Sequence, residues 1–157
     1  MNINHAEFMK AALNEAVKAK AKDEVPIGAV IVAESGDIIS SAHNQTITLA
    51  DPTAHAEILA LRNAAQKLLN YRLLNTTIYV TIEPCIMCMG AIIHSRVSSL
   101  VFGANDPKWG AAGSLYNFAG DTRLNHRPVV IHGVRKNECR ALIQTFFKEK
   151  RNKISIT

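Results

Sequence analysis

Residues 76–104 read TTIYVTIEPCIMCMGAIIHSRVSSLVFGA, and this stretch decides the fold. TTIYVTI (76–82) is β-branched, aromatic and apolar throughout, as a buried strand requires. CIMCMGAIIHSR (85–96) has the length and composition of a short helix, and Pro84 stands just before its first turn, where a missing N–H costs little. SSLVFGA (98–104) is a second apolar strand. Apolar strands alternating with helices imply a mostly parallel sheet covered on both faces.

The same alternation extends in both directions. Upstream, AHAEILALRNAAQKLL (54–69) is rich in helix formers, and DPT (51–53) marks its start. IGAVIVA (27–33), the turn SGD and IISSAHN (38–44) read as a hairpin, which makes the sheet mixed. Residues 5–22 carry Phe8, Ala12, Leu13, Ala16 and Val17 at helical spacing. Downstream, a Gly-rich loop leads to a fifth strand, PVVIHGV (128–134). The amphipathic helix NECRALIQTFFKEKRNK (137–153) follows, with Leu142, Ile143, Phe146 and Phe147 on its apolar side. No repeat or linker divides the chain. The expected architecture is one α/β domain over 1–157, a three-layer α/β/α arrangement around a mixed five-stranded sheet.

Composition narrows the setting. The chain has 157 residues, 48% hydrophobic and 20% charged, enough for one sizeable core. No apolar run approaches the ~18 residues that span a bilayer. The first residues, MNINHAEFMKAALNEAVKAKAKDE, are charged throughout and lack the apolar centre of a secretion signal. Three cysteines do not make a secreted disulfide framework. Together these lead us to expect a cytoplasmic protein with reduced thiols and no membrane partner. The net charge of +5 and a pI near 9.3 favour an anionic partner. KEKRNK (148–153), preceded by Arg135, Lys136 and Arg140, is a basic cluster that also suits the solvated face of a helix.

The chemistry begins with Cys85 and Cys88. Cysteines at i and i+3 lie on one helix face, and a helix N-terminus favours thiolates. The pair alone is compatible with a redox couple, a closed structural zinc or an open catalytic zinc with water in its fourth place. A four-cysteine site is impossible with only three cysteines in the chain. PTAHAEILA (52–60) adds His55 and Glu57. On an ideal helix, residues i and i+2 point about 200° apart, so these two converge on one centre only beyond the helix end. His55 in the first turn meets that condition as a third ligand. Glu57 then stands beside the metal as an unbound carboxylate able to carry a proton.

H-A-E followed by P-C-x-x-C resembles the zinc-dependent nucleoside and nucleobase deaminases. VPIGAV, DPTAHAEI, NYRL, EPCIMCMGAI, HSRV, VFGANDPKWGAAGS and NHRP resemble successive blocks of the bacterial tRNA-specific adenosine deaminase family, over nearly the whole chain. The D-x-K-x-G-A-x-G-S run at 106–114 separates that family from guanine, cytosine and dCMP deaminases better than the zinc motif does. Trp109, where the family carries small residues, and LYNFAG (115–120) depart from its pattern.

The resemblance implies one Zn²⁺ per subunit held by His55, Cys85 and Cys88, with Glu57 as the proton shuttle. It implies hydrolysis of adenosine to inosine at the wobble position of an arginine tRNA. It further implies that Asn44 contacts the target nucleoside, that backbone groups of Ala56 and Cys85 bond the base and the attacking oxygen, and that the protein is a homodimer. Asp106, Lys108 and the basic last helix are candidate contacts to the anticodon stem-loop, and Phe146 and Phe147 are candidates for stacking or core. Met9, Met87 and Met89 are expected in the core, and Cys139 buried and inert. Two other readings remain: a guanine or cytosine deaminase acting on free bases, and a non-catalytic RNA-binding subunit that keeps zinc for folding.

Overall fold

The computed structural model describes residues 3–156; Met1, Asn2 and Thr157, at the ends of the domain expected over 1–157, lie outside the described residues. In chain order the elements are α1 (His5–Ala21), β1 (Gly28–Ala33), β2 (Ile38–His43), α2 (Ala56–Leu68) and β3 (Thr76–Ile82). They continue with α3 (Ile86–His94), β4 (Ser99–Ala104), a 3₁₀ turn at Phe118–Gly120, β5 (Val129–His132) and α4 (Lys136–Ile156). The five strands form one sheet in the order β2-β1-β3-β4-β5.

Strand residues alternate between two cores. Ala29, Ile31, Ile78, Val80, Leu100 and Phe102 face α2 and α3, where they meet Ala60, Leu61, Ala64, Met89 and Ile92. Val30, Val32, Tyr79 and Val101 face the opposite layer, built from Met9, Ala12 and Leu13 of α1 and Cys139, Leu142 and Ile143 of α4. The expected three-layer α/β/α arrangement is therefore present. A Cβ on Gly28 would lie 2.0 Å from the Ala12 carbonyl, so glycine there lets α1 rest its backbone directly on β1.

The sheet is not mostly parallel. β1 pairs antiparallel with both β2 and β3, while β3–β4 and β4–β5 are parallel. The first strand of the hairpin, not the second, takes the place beside β3. The β2–α2–β3 crossover consequently straddles β1, a split βαβ unit. In α1 the buried stripe runs Met9, Ala12, Leu13, Ala16, Ala19, and Val17 is exposed, a small rotation of the expected face. Of the expected core methionines, Met9 and Met89 are fully buried, whereas Met87 is half-buried because its face of α3 borders a cleft. Phe146 is core and Phe147 is exposed. No described helix is long and apolar enough to cross a membrane.

Candidate active site

The two helices that carry the chemistry start later than their composition suggests. Helix α2 begins at Ala56, and His55 is its N-cap in extended conformation (φ −72°, ψ 153°). Helix α3 begins at Ile86, and Cys85 is likewise an extended N-cap (φ −74°, ψ 177°). Both sequence-based helices thus began one or two residues too early. The extended caps turn the His55 and Cys85 side chains off the helix ends, the geometry that lets His55 and Glu57 share one centre. Cys88 lies one turn into α3.

His55 Nδ1 is 3.7 Å from Cys85 Sγ and 3.5 Å from Cys88 Sγ. Tetrahedral zinc with N and S ligands at about 2.05 and 2.3 Å places those atoms about 3.6 Å apart. Two thiols and one imidazole at that separation are a fitting donor set for zinc. This is the cluster of potential metal ligands among the described residues. The Cys85 thiol sits low, at about 4, through its hydrogen bond with Cys88 and, against the effect of burial, through His55. Cys88 is pushed up by that same bond and by burial. The bond to Cys85 raises His55.

Glu57 lies in the first turn of α2 and is only 4% exposed. Burial pushes its carboxyl above the usual carboxylate range. Its neighbours are His55, Cys85 and Cys88, as a proton carrier beside a metal requires.

These groups open into a cleft of about 1580 Å³. It is lined by Pro52, His55, Glu57, Glu83, Cys85 and Met87, by the loop residues Asn105 to Trp109 at its rim, and by Arg140, Ile143, Phe147 and Lys148 of α4. The cleft exceeds the ~300–1,000 Å³ of ordinary small-molecule pockets. Asn44 and Ala56 are buried and are not among the residues that line the cleft. The Asn44 N–H donates to the Ile27 carbonyl at 3.1 Å, which fixes the end of β2. Ala56 is the first residue of α2, so its N–H has no carbonyl one turn back. Asp106 lines the cleft, but its Oδ1 accepts the N–H groups of Lys108 (3.0 Å) and Trp109 (3.2 Å) and shapes the rim loop.

Three buried carboxylates, Glu83, Glu24 and Glu15, escaped the sequence reading. Glu83, 3% exposed, accepts from the backbone N–H of Asp106 (3.1 Å), Ala112 (3.0 Å) and Ser114 (3.0 Å), and from the Ser114 hydroxyl and Asn105 amide. Burial alone would push it up; the hydrogen bonds from Ser114, Asp106 and Ala112 outweigh that and hold it below its ordinary value. Gly110 is obligatory beside it, since a Cβ would come within 2.4 Å of the Glu83 carboxylate. Glu24, fully buried, accepts from the N–H of Ile47 (3.1 Å) and Thr48 (2.7 Å), and so anchors the segment that leads into His55. A second missed pair is His43 Nδ1 with Glu15 Oε2 at 2.8 Å, between β2 and α1. The one available signal was a glutamate at the end of an apolar strand or just ahead of one.

Residues 2–104 match the family model described as the cytidine and deoxycytidylate deaminase zinc-binding region. The chain is 51% identical over 150 residues to the tRNA-specific adenosine deaminase of Haemophilus influenzae, covering 96% of this chain and 87% of that one. A solved structure from work on A-to-I editing by tRNA:A34 deaminases at the wobble position is 43% identical, with TM-score 0.83 over 87% of this chain and 98% of that one. The guanine deaminase of Nitrosomonas europaea shares the architecture (TM-score 0.80, over 93% of this chain and 85% of that one) at 28% identity.

Proposed function

The chain belongs to the cytidine and deoxycytidylate deaminase zinc-binding family, and from that premise we propose that it hydrolyses adenosine to inosine at the wobble position of a tRNA anticodon. The observation that carries this reading is the His55–Cys85–Cys88 cluster with buried Glu57 beside it, at a cleft larger than an ordinary small-molecule pocket and with room for more than the target base. Identity is also much higher to the tRNA deaminase than to the guanine deaminase of nearly equal fold similarity.

His55, Cys85 and Cys88 would hold one Zn²⁺ per subunit, which when bound supplies a water acidic enough to attack at neutral pH. Glu57 accepts one proton of the attacking water, delivers it to the adenine ring nitrogen, and then moves the remaining proton, from the new C6 hydroxyl, to the departing amine as the C6–N bond breaks. The amine leaves as ammonia, and the C6 carbonyl of inosine remains. The buried position of Glu57 keeps bulk water from competing for that proton. The Ala56 N–H, unpaired within its helix, and buried Asn44 are assigned to hold the base. Asp106 and Lys108 are assigned to the anticodon stem-loop side. The target base has to leave its stack, which is cheapest in a single-stranded loop. An arginine tRNA is the substrate assigned, and a cytoplasmic homodimer with a single domain over 1–157 is the form assigned.

The test offers anticodon stem-loop RNA and free guanine, cytosine and adenine side by side, reading inosine by sequencing and ammonia by coupled assay. Inosine in the stem-loop supports the proposal; ammonia from free bases alone overturns it. Glu57→Ala is expected to keep zinc and melting temperature while turnover falls by at least the ~10²–10⁴ of a lost general base. Persisting turnover would remove Glu57 from the mechanism. A zinc-free chain with a reversible 85–88 disulfide would point to redox chemistry instead.

A further inference from the structure

We propose that Trp109 is a stacking platform for a nucleotide next to the target base, and hence a substrate-binding residue of the cleft. The inference rests on the tRNA reading above and deepens it. Trp109 is the sole tryptophan of the chain and is 66% exposed. It lines the same cleft as His55 and Glu57. An indole left in water forfeits a large apolar burial, and exposed aromatics of this size concentrate where a partner covers them. No described aromatic or cationic group stacks on its ring.

The ring is nevertheless held on a rigid base. The Trp109 and Lys108 N–H groups share Asp106 Oδ1, and the Gly110 N–H donates to the Asp106 carbonyl at 2.8 Å. Glu83 fixes the loop from below through Asp106, Ala112 and Ser114. A platform ordered in advance loses little entropy on binding. The chemistry around it identifies the occupant. Lys108 precedes the ring in the chain, and Arg140 and Lys148 of α4 line the same cleft. A flat apolar face in a cleft that also carries cations fits single-stranded nucleic acid, with phosphates on the cations and a base on the ring. The one carboxylate of the rim loop, Asp106, is engaged by backbone amides and does not oppose a phosphate with a bare charge.

Because the chain has one tryptophan, its fluorescence reports this residue alone. Stem-loop RNA is titrated into the Glu57→Ala chain, which cannot turn it over. Quenching that saturates with binding is expected. Trp109→Ala should weaken stem-loop binding by about 5- to 150-fold, the range for one stacked base, and raise KM by a similar factor with kcat nearly unchanged. Trp109→Phe should retain most of the affinity. Melting should move by less than about 2 °C in both, since most of the residue is exposed and little of it is packed within the chain. An abasic site at the stacked neighbour, 5′ or 3′ of the target, should abolish the difference between native and Trp109→Ala chains. Native affinity in Trp109→Ala, or unchanged emission at saturating RNA, overturns the proposal. Emission that shifts with chain concentration but not with RNA overturns it in favour of a contact between copies. If the native chain neither binds nor deaminates the stem-loop, the tRNA reading itself has failed.

Discussion

Replacing Glu83 by glutamine removes one charge and swaps one oxygen for an NH₂, with almost no change of volume. Both carboxylate oxygens are in use. Oε2 accepts the N–H groups of Ala112 and Ser114; Oε1 accepts the Asp106 N–H, the Asn105 amide and the Ser114 hydroxyl. An NH₂ at the Oε2 position would confront two backbone donors. At the Oε1 position it confronts one, because the Ser114 hydroxyl can rotate and the Asn105 amide can turn over. The second orientation is therefore preferred, and it leaves the Asp106 N–H without its acceptor. Losing that charge-assisted bond costs about 1.5–3 kcal/mol, and two more fall from charged to neutral strength at about 1 kcal/mol each. Relief from burying a charge offsets part of this, for a net of about 3 kcal/mol. For a chain of this size that is roughly a 6–12 °C drop in Tm. Circular dichroism melting of Glu83→Gln measures it, with zinc content determined in parallel, since Glu83 is outside the donor cluster. Stem-loop KM should rise in the same variant because the loop bearing Trp109 loosens. A Tm within 2 °C of native together with unchanged KM would refute the assignment of Glu83 as the anchor of that loop.

Two further outcomes are expected. Burial would raise the Glu24 carboxyl, but the Thr48, Ile47 and Thr46 donors more than compensate and hold it below 4.5 in the folded chain. Its stabilising contribution is thus full above pH 4.5 and disappears as pH falls through the lower folded value. The stability gap between native and Glu24→Gln chains, measured by denaturant unfolding, should narrow steadily below pH 4.5; a constant gap would contradict this. Cys139 is buried and burial pushes its thiol up to about 12, whereas Cys85 sits near 4, so a thiol reagent should modify Cys85 in the folded, chelator-treated chain and reach Cys139 only on unfolding. Peptide mass mapping distinguishes the two, and Cys139 labelling without unfolding would count against its burial.

What the sequence disclosed follows from what local patterns encode. Residues 76–104 announced strand, helix and strand because burial on both faces leaves continuous apolar runs, and all five strands were placed within one or two residues. The Cys85–Cys88 pair was legible because its spacing is local; His55, 30 residues before Cys85, joined it through the H-A-E motif and the family resemblance, and the structure brings the three together. The pairing of β1 with β3 was not, since periodicity does not say which hairpin strand lies inward. The exact helix starts at Ala56 and Ile86 were hidden because His55 and Cys85 differ from helical residues in dihedral angle, not in type. Glu24 and Glu83 resemble surface acids in one dimension; their partners arrive from loops 22 to 31 residues away. Asp106 was singled out by motif as a nucleic-acid contact; the motif did not disclose that its Oδ1 also closes a turn two and three residues on.

The interposed β1 strand has a consequence for how the chain comes together. β1 and β2 can zip as a hairpin from neighbouring residues, and β3–α3–β4 can form as a second local unit. His55 follows the first unit and both cysteines belong to the second. The donor triad exists only after β3 has docked on the free edge of β1 and α2 has swung across the hairpin. That docking closes the longer loop and is the slower event. Metal uptake in a refolding chain would thus report the meeting of the two halves, since the three donors that would hold zinc are divided between them.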